Sequence, residues 1–156
     1  MPAVKRLLLL RHAKAEKGGV PDRKRPLATS GREDAARVGR YARGQGWLPD
    51  LILCSDSLRT RETAACFAES AKCPAPVVVD NVLYLGADHE VLAAIHAAPA
   101  AATTLMVIGH NPGFEILTQT LSQCMAPDDF PTAGLAVFEV SGDGWSGLDP
   151  ASARLA

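Results

Sequence analysis

The stretch Leu7-Leu8-Leu9-Leu10-Arg11-His12-Ala13-Lys14 decides how the rest of the chain is read. Four leucines in a row, with no alternation, predict a short strand buried on both faces, as in a parallel sheet covered by helices on each side. The run stops at a guanidinium and an imidazole. A strand ending in such groups delivers them to the carboxyl edge of a sheet, where open α/β folds bind their ligands.

The same grammar recurs downstream. Residues 13–28 are polar and rich in Gly, Lys, Arg and Pro, which predicts a loop. Ser30-Gly31-Arg32-Glu33 fits a capping box and predicts a helix to about Arg43, with Val38, Tyr41 and Ala42 on its apolar side. Gly44 and Gly46 suit its end. Leu51-Ile52-Leu53-Cys54 predicts a second buried strand, and Asp56 or Ser57 a cap for a helix reaching about Ala71. Val77-Val78-Val79 predicts a third strand, and Asp88 a cap for a helix carrying Val91, Leu92 and Ile95. Leu105-Met106-Val107-Ile108 predicts a fourth strand. Asn111 as N-cap, with Pro112 at the first helical position, starts another helix with Phe114, Leu117 and Leu121 inward. Leu135–Val140 is expected as the last strand. Strands alternating with helices predict an α/β class with a largely parallel sheet. No Pro-rich or Ser-rich linker divides the chain, so a single domain over residues 1–156 is expected.

Composition narrows the function. The chain has 156 residues, 16 Lys+Arg, 17 Asp+Glu and a net charge of −1, with 47% hydrophobic and 21% charged residues. That is a globular composition and argues against disorder or a coiled coil. Near-neutral charge argues against nucleic-acid and polybasic membrane partners. After Lys5 and Arg6 the apolar run is too short for a signal peptide, and no stretch is long enough to span a membrane. A cytoplasmic protein is expected. Cys54, Cys66, Cys73 and Cys124 form no C-x-x-C pair and predict neither a zinc site nor a disulfide frame.

Three buried strands end in strongly polar residues: Arg11-His12, then Ser55-Asp56-Ser57-Leu58-Arg59, then Gly109-His110-Asn111. If these strands are parallel neighbours, two arginines and two histidines converge. Arginine forks match phosphate oxygens, and the helix start at Asn111-Pro112-Gly113 adds amides and a dipole favourable to an anion. Neighbouring arginines disfavour imidazolium and keep a histidine neutral and nucleophilic. Phosphoryl transfer needs mainly positioning and charge stabilisation, which this kit supplies. No third His, Cys or carboxylate accompanies His12 and His110 at ligand-like spacing, so no metal or other cofactor is expected.

Other groups have plainer readings. Cys54 stands one residue too close to Arg59 for a cysteine phosphatase loop and reads as core. No phosphate-binding G-x-x-x-x-G-K-[ST] loop occurs. His89 and His96 read as surface histidines and Trp145 as a packing anchor. Lys17 and Asp22 to Arg25 read as a solvated charged loop, Arg25 excepted.

Leu10-Arg11-His12-Ala13 resembles the Arg-His-Gly motif of the histidine phosphatase superfamily, which includes the phosphoglycerate mutases. Ser55 to Ala64, SDSLRTRETA, resembles its second arginine motif, and Gly109-His110 its second histidine motif. Arg11-His12-Ala13-Lys14, Arg25-Pro26-Leu27 and Gly109-His110-Asn111-Pro112-Gly113 are most similar to the small SixA branch, regarded as phosphohistidine phosphatases. The resemblance implies a three-layer α/β fold whose mostly parallel mixed sheet is flanked by helices. It also implies a catalytic set in which His12 becomes a transient phosphohistidine while Arg11, Arg59 and His110 hold the phosphoryl oxygens. Arg25 matches a branch-specific arginine that would bind substrate.

Two departures stand out. Ala13 replaces the motif's Gly, and the loop after the third strand, Asp80-Asn81-Val82-Leu83-Tyr84-Leu85, lacks the Glu of larger members. Asp80 and Asp88 are the candidate substitutes. An alkoxide leaving group needs such an acid, worth about 10²–10⁴-fold. An imidazole leaving group needs it far less. The expected partner is therefore a phosphohistidine-bearing protein of the phosphorelay type. A small phosphate ester is the alternative, and an inactive phosphate- or phosphoprotein-binding module a third reading.

Overall fold

Leu7, Leu8, Leu9 and Leu10 are all fully buried, and they alternate between two cores on opposite faces of one sheet. Leu7 and Leu9 pack with Leu105, Val107, Phe114 and Ile95, whereas Leu8 and Leu10 pack with Ile52, Met106, Ile108 and Phe67. Removing one such side chain from water stabilises the fold by about 1.5–3 kcal/mol. The uninterrupted apolar run thus records a strand with no solvated face.

The computed structural model describes residues 4–156. Residues 1–3 of the domain expected over 1–156 lie outside them. The strands are β1 (Lys5–Arg11), β2 (Leu51–Cys54), β3 (Val77–Val79), β4 (Thr104–Gly109), β5 (Leu135–Val140) and β6 (Ala153–Leu155). The α-helices are α1 (Thr29–Gln45), α2 (Leu58–Ala71), α3 (Asp88–His96) and α4 (Gly113–Leu121). The sheet order is β3-β2-β4-β1-β5-β6. The first four strands in that order run parallel, and β5 lies antiparallel to both β1 and β6. Helices α1 and α2 cover one face, and α3 and α4 the other. This is the mixed, mostly parallel three-layer sheet that the resemblance implied. Among the described residues, no helix is long and apolar enough to cross a membrane.

The chain leaves β1 toward β2 and leaves β4 toward β5, although β1 and β4 are neighbours. Strand order therefore switches between them, which opens a crevice at their carboxyl ends.

Several local expectations are corrected. Helix α1 starts at Thr29 with Ala28 as N-cap, and Ser30 makes no capping bond. Tertiary bonds fix the entry instead: Ala28 N–H donates to Lys14 O (2.9 Å) and Leu27 N–H to Glu62 Oε1 (2.8 Å). Tyr41 is exposed and stands edge-on to Trp47, while Ala35, Gly39 and Ala42 form the buried stripe of α1. Gly46 ends the helix in the left-handed region, φ 75°, a conformation glycine adopts at no steric cost. Ser57, not Asp56, caps α2 by accepting from Thr60 N–H. The N-cap of α3 is Ala87, whose N–H donates to Glu90 Oε1 (3.0 Å); Asp88 is the first helical residue.

At α4 the N-cap is Pro112, one residue beyond the expected Asn111. The Asn111 amide instead donates to Phe130 O (2.8 Å), a tertiary acceptor that outcompetes the local cap. Gly113, which opens α4, lies so close to Gly86 O that a Cβ would meet it at 2.2 Å. Leu135–Val140 is not the last strand, because β6 comes after it; three residues without an apolar run gave no signal. Trp145 is the expected anchor, buried and donating from Nε1 to Ala102 O (3.0 Å). The tail it pins carries Leu148, whose carbonyl pairs with His96 Nε2 (2.9 Å), so His96 is half-buried rather than an ordinary surface histidine.

Candidate active site

Backbone pairing brings the polar strand ends together. Arg11 and Gly109 are partners in the β1–β4 register, and His12 N–H donates to Gly109 O (3.1 Å). His12 and His110 therefore leave adjacent strands at the same level, with ring centroids 5.1 Å apart. Ser55 N–H donates to Ile108 O (3.1 Å), which lays the Ser55–Arg59 segment beside them. Arg11, His12, Arg25, Arg59 and His110 all line one cavity of about 470 Å³, with Lys14, Lys17, Asp22 and Asn111 around them. All five residues that the sequence singled out are thus brought together.

The floor of this cavity is buried. His12, Arg59 and His110 are 8%, 3% and 2% exposed. His12 Nδ1 lies 2.8 Å from the Ala13 carbonyl, which can only accept, so Nδ1 carries the proton and Nε2 keeps its lone pair. Burial lowers the His12 pKa to about 4; the bond to Ala13 opposes this, and the Arg59, Arg11 and Arg25 charges reinforce it. Burial likewise lowers His110 to about 3, with His12 and Arg59 adding to the effect. Both imidazoles are neutral at pH 7. His110 Nε2 pairs with Ser55 Oγ at 2.8 Å.

Three polar atoms on the floor have no partner among the described residues and are shielded from solvent: Nε of Arg11, Nε of Arg59 and Nδ1 of His110. Unsatisfied buried polar atoms each cost about 1–3 kcal/mol. A tetrahedral oxyanion seated among them would supply several acceptors at once.

The mouth is crossed by a strap, residues 16–26, that closes on itself. Glu16 N–H donates to Pro26 O (2.8 Å), and Ala15 and Leu27 form an antiparallel bridge. A 3-10 turn, Asp22–Lys24, presents Asp22 to the site. Arg59 Nη1 donates to Asp22 O (2.7 Å) and Nη2 to Asp22 Oδ2 (3.0 Å). Tyr84 donates its hydroxyl to the same carboxylate oxygen, and its ring stands edge-on to His110 at 5.4 Å. The Tyr84 hydroxyl first, then Arg25 and Arg59, hold the Asp22 carboxyl well below the usual carboxylate range. Asp22 is thus an anion resting on the arginine fork.

Residues 22–24 are exposed and Arg25 is half-buried, as the solvated-loop reading expected, but Asp22 is engaged with the site alongside Arg25. Arg25 bonds Glu16 O through Nε (2.7 Å) and Asp22 Oδ1 through Nη1 (2.9 Å) while lining the cavity. The candidate acids Asp80 and Asp88 do not line it; Asp80 accepts from Val82 N–H (3.0 Å) as a turn cap. The structure adds Ser55, Asp22 and Tyr84 to the candidate set. Ser55 sits in the polar run after β2 and was visible as part of it. Tyr84 and Asp22 carried no local signal.

Comparison with known proteins agrees with this geometry. The sequence profile of the histidine phosphatase superfamily (branch 1) matches residues 7–84. An uncharacterised protein of Mycobacterium tuberculosis is 33% identical over 156 residues, covering 94% of this chain and 96% of its own. A protein of Nakamurella multipartitia assigned as the phosphohistidine phosphatase SixA superposes with a TM-score of 0.85 at 32% identity, covering 100% of this chain and 96% of that one. A phosphoglycerate mutase of Plasmodium falciparum shares the fold, with a TM-score of 0.69 at 16% identity over 99% of this chain and 89% of that one. With the Arg11-His12 and Gly109-His110 motifs meeting at one sheet edge, this chain belongs to the histidine phosphatase superfamily.

Proposed function

We propose that this chain is a metal-independent phosphohistidine phosphatase that works through a covalent intermediate on His12. The phosphorus of a protein-borne phosphohistidine is attacked by His12 Nε2. A new N–P bond forms as the bond to the substrate imidazole breaks. That imidazole takes up a proton from solvent and leaves. Water then attacks the phosphorylated His12, breaking its N–P bond and releasing inorganic phosphate. Arg11, Arg59 and His110 stabilise charge on the phosphoryl oxygens throughout, and Arg25 binds substrate at the mouth. Orienting the groups and stabilising this charge is most of what phosphoryl transfer asks of a protein.

The observation that carries the reading is the neutral His12 ring, held by Ala13 O with its free nitrogen among arginines. The acid inventory favours an N–P over an O–P substrate. Asp22, the carboxyl lining the pocket, is held ionised and is a poor proton donor at pH 7. An imidazole leaving group tolerates that, whereas an alkoxide does not.

The test offers purified protein a phosphohistidine-bearing protein, sugar phosphates and 3-phosphoglycerate, each with chelator present, and repeats all with His12→Ala. Turnover of the phosphohistidine protein, lost in the variant, is the expected result. Preference for the esters would move the assignment to a small-molecule phosphatase. Phosphate binding without any turnover would make the chain a binding module. Full activity in His12→Ala would refute the mechanism.

A further inference from the structure

Ser55 is fully buried beneath His110, and its hydroxyl can be accounted for bond by bond. Ser55 Oγ accepts from Ser57 N–H (3.2 Å). It lies 2.8 Å from His110 Nε2 and 3.4 Å from Ser57 Oγ. The Ser57 hydroxyl has a closer partner in Thr60 Oγ1 (2.8 Å), and Thr60 in turn reaches the carbonyls of Ser55 and Ser57, each at 2.8 Å. The hydroxyl proton of Ser55 thus has one short route, into the His110 Nε2 lone pair. The alternative would send it along the 3.4 Å contact, at the edge of hydrogen-bond range.

A neutral imidazole carries one donor and one acceptor. If Nε2 accepts from Ser55, the proton sits on Nδ1, the buried nitrogen that has no partner among the described residues. If Nε2 instead donated to Ser55, Nδ1 would present a lone pair to an incoming anion. The first arrangement attracts a phosphoryl oxygen and the second repels it.

We propose that Ser55 is a positioning residue that fixes His110 in the Nδ1–H tautomer, so that neutral His110 donates to a phosphoryl oxygen. This rests on the phosphoryl-transfer reading of the pocket and adds the device that makes an uncharged histidine useful there. Ser55 is placed for it twice, by the backbone bond to Ile108 on β4 and by the hydroxyl cluster at the start of α2. The requirement is a hydroxyl at position 55, not merely a small side chain.

The first measurement is long-range ¹H–¹⁵N correlation NMR on the whole protein at pH 7, with and without inorganic phosphate. The expected result is a His110 ring protonated on Nδ1, with that nitrogen shifting when phosphate binds. A ring protonated on Nε2 would overturn the proposal without any variant being made. The second measurement compares Ser55→Ala with Ser55→Thr. Loss of a charge-assisted donor predicts phosphate binding about tenfold weaker in Ser55→Ala. Without the Ser55 donor the neutral ring is less favoured, so the His110 titration moves upward. Ser55→Thr, which keeps the hydroxyl, restores both. Wild-type phosphate affinity and an unmoved His110 titration in Ser55→Ala would refute the role. Should the protein ignore phosphohistidine but show the Nδ1–H signal and its response to phosphate, the functional reading fails and the positioning role is supported.

Discussion

The floor and the strap of the pocket are both built from charged and polar groups, yet they are held in opposite ways. Floor residues His12, Arg59 and His110 sit on strand ends or a helix start, are almost fully buried, and take their positions from the sheet register. Strap residues Asp22, Arg23 and Arg25 have side chains 46%, 52% and 28% exposed, and hold one another and the floor through ion pairs in a loop. A buried group cannot move without breaking packing, whereas an exposed ion pair is worth at most about 1 kcal/mol and is screened by salt. Precision of the phosphoryl site therefore belongs to the floor, and adjustability to the strap. A net charge of −1 hides this, because the strap's own acid offsets part of the arginine charge on the spot.

The contrast is broken most directly by removing an arginine from each side. Arg59→Ala deletes a buried donor pair and is expected to lower kcat/KM by about 100- to 1,000-fold, the range for losing a preorganised oxyanion donor. Arg25→Ala removes a half-exposed contact and is expected to cost several-fold at most. Steady-state kinetics on the same phosphohistidine substrate compares them, and equal losses would show that the strap is as fixed as the floor.

A second effect, on stability just below neutral pH, comes from the floor. Both histidines have folded pKa values below that of an unfolded histidine, about 6.5, at about 4 for His12 and about 3 for His110. Between the folded and unfolded values the unfolded chain binds more protons, so unfolding free energy falls as pH drops. Above pH 6.5 these groups contribute no slope. Denaturant titrations from pH 7 to pH 4 should show a loss of stability steeper than in a His12→Asn, His110→Asn double variant. Parallel curves would mean the two rings are freely protonated in the folded protein.

The same division explains what could be read from the chain. Leu7–Leu10, Leu51–Cys54 and Leu105–Ile108 announce buried strands because both faces are apolar, and the polar residues just after each strand are then carried to a known edge. Arg11, His12, Arg59 and His110 were legible for that reason: their positions are set by strand ends and register. Asp22 was not. Its place depends on a loop closing through Glu16 and Pro26 and on Tyr84 arriving from beyond β3, contacts between residues far apart in sequence with no periodic signature. Caps failed similarly. Ser30 and Asn111 have the right local chemistry, but Lys14 O and Phe130 O decide where the chain enters α1 and α4. Helix starts are local only when no tertiary partner competes.

If the strap is adjustable, its carboxylate competes with phosphate for Arg59. Asp22→Asn keeps the shape and removes the charge. Binding of inorganic phosphate, measured by calorimetry at low salt, should tighten by about fivefold, the order expected when the carboxylate of the pair is open to solvent. The gain should shrink as salt is added, because the lost competitor is itself screened. Weaker binding would mean that Asp22 serves chiefly to aim the Arg59 fork, making the strap part of the binding floor.

The smallest expected change separates the Tyr84 contact of Asp22 from its two arginine contacts. The Tyr84 hydroxyl is the leading cause of its depressed pKa, ahead of Arg25 and Arg59. Tyr84→Phe keeps the ring against His110 and removes only that donor. The Asp22 carboxyl should then titrate higher, closer to the ordinary carboxylate range, while remaining ionised at pH 7 because Arg59 and Arg25 still face it. Carboxyl-detected NMR tracks this titration directly, and turnover at pH 7 should barely change. If turnover collapsed while the Asp22 titration stayed put, the hydroxyl would be acting on the phosphoryl group or on water rather than on the strap. The line between floor and strap would then have to be redrawn with Tyr84 on the catalytic side.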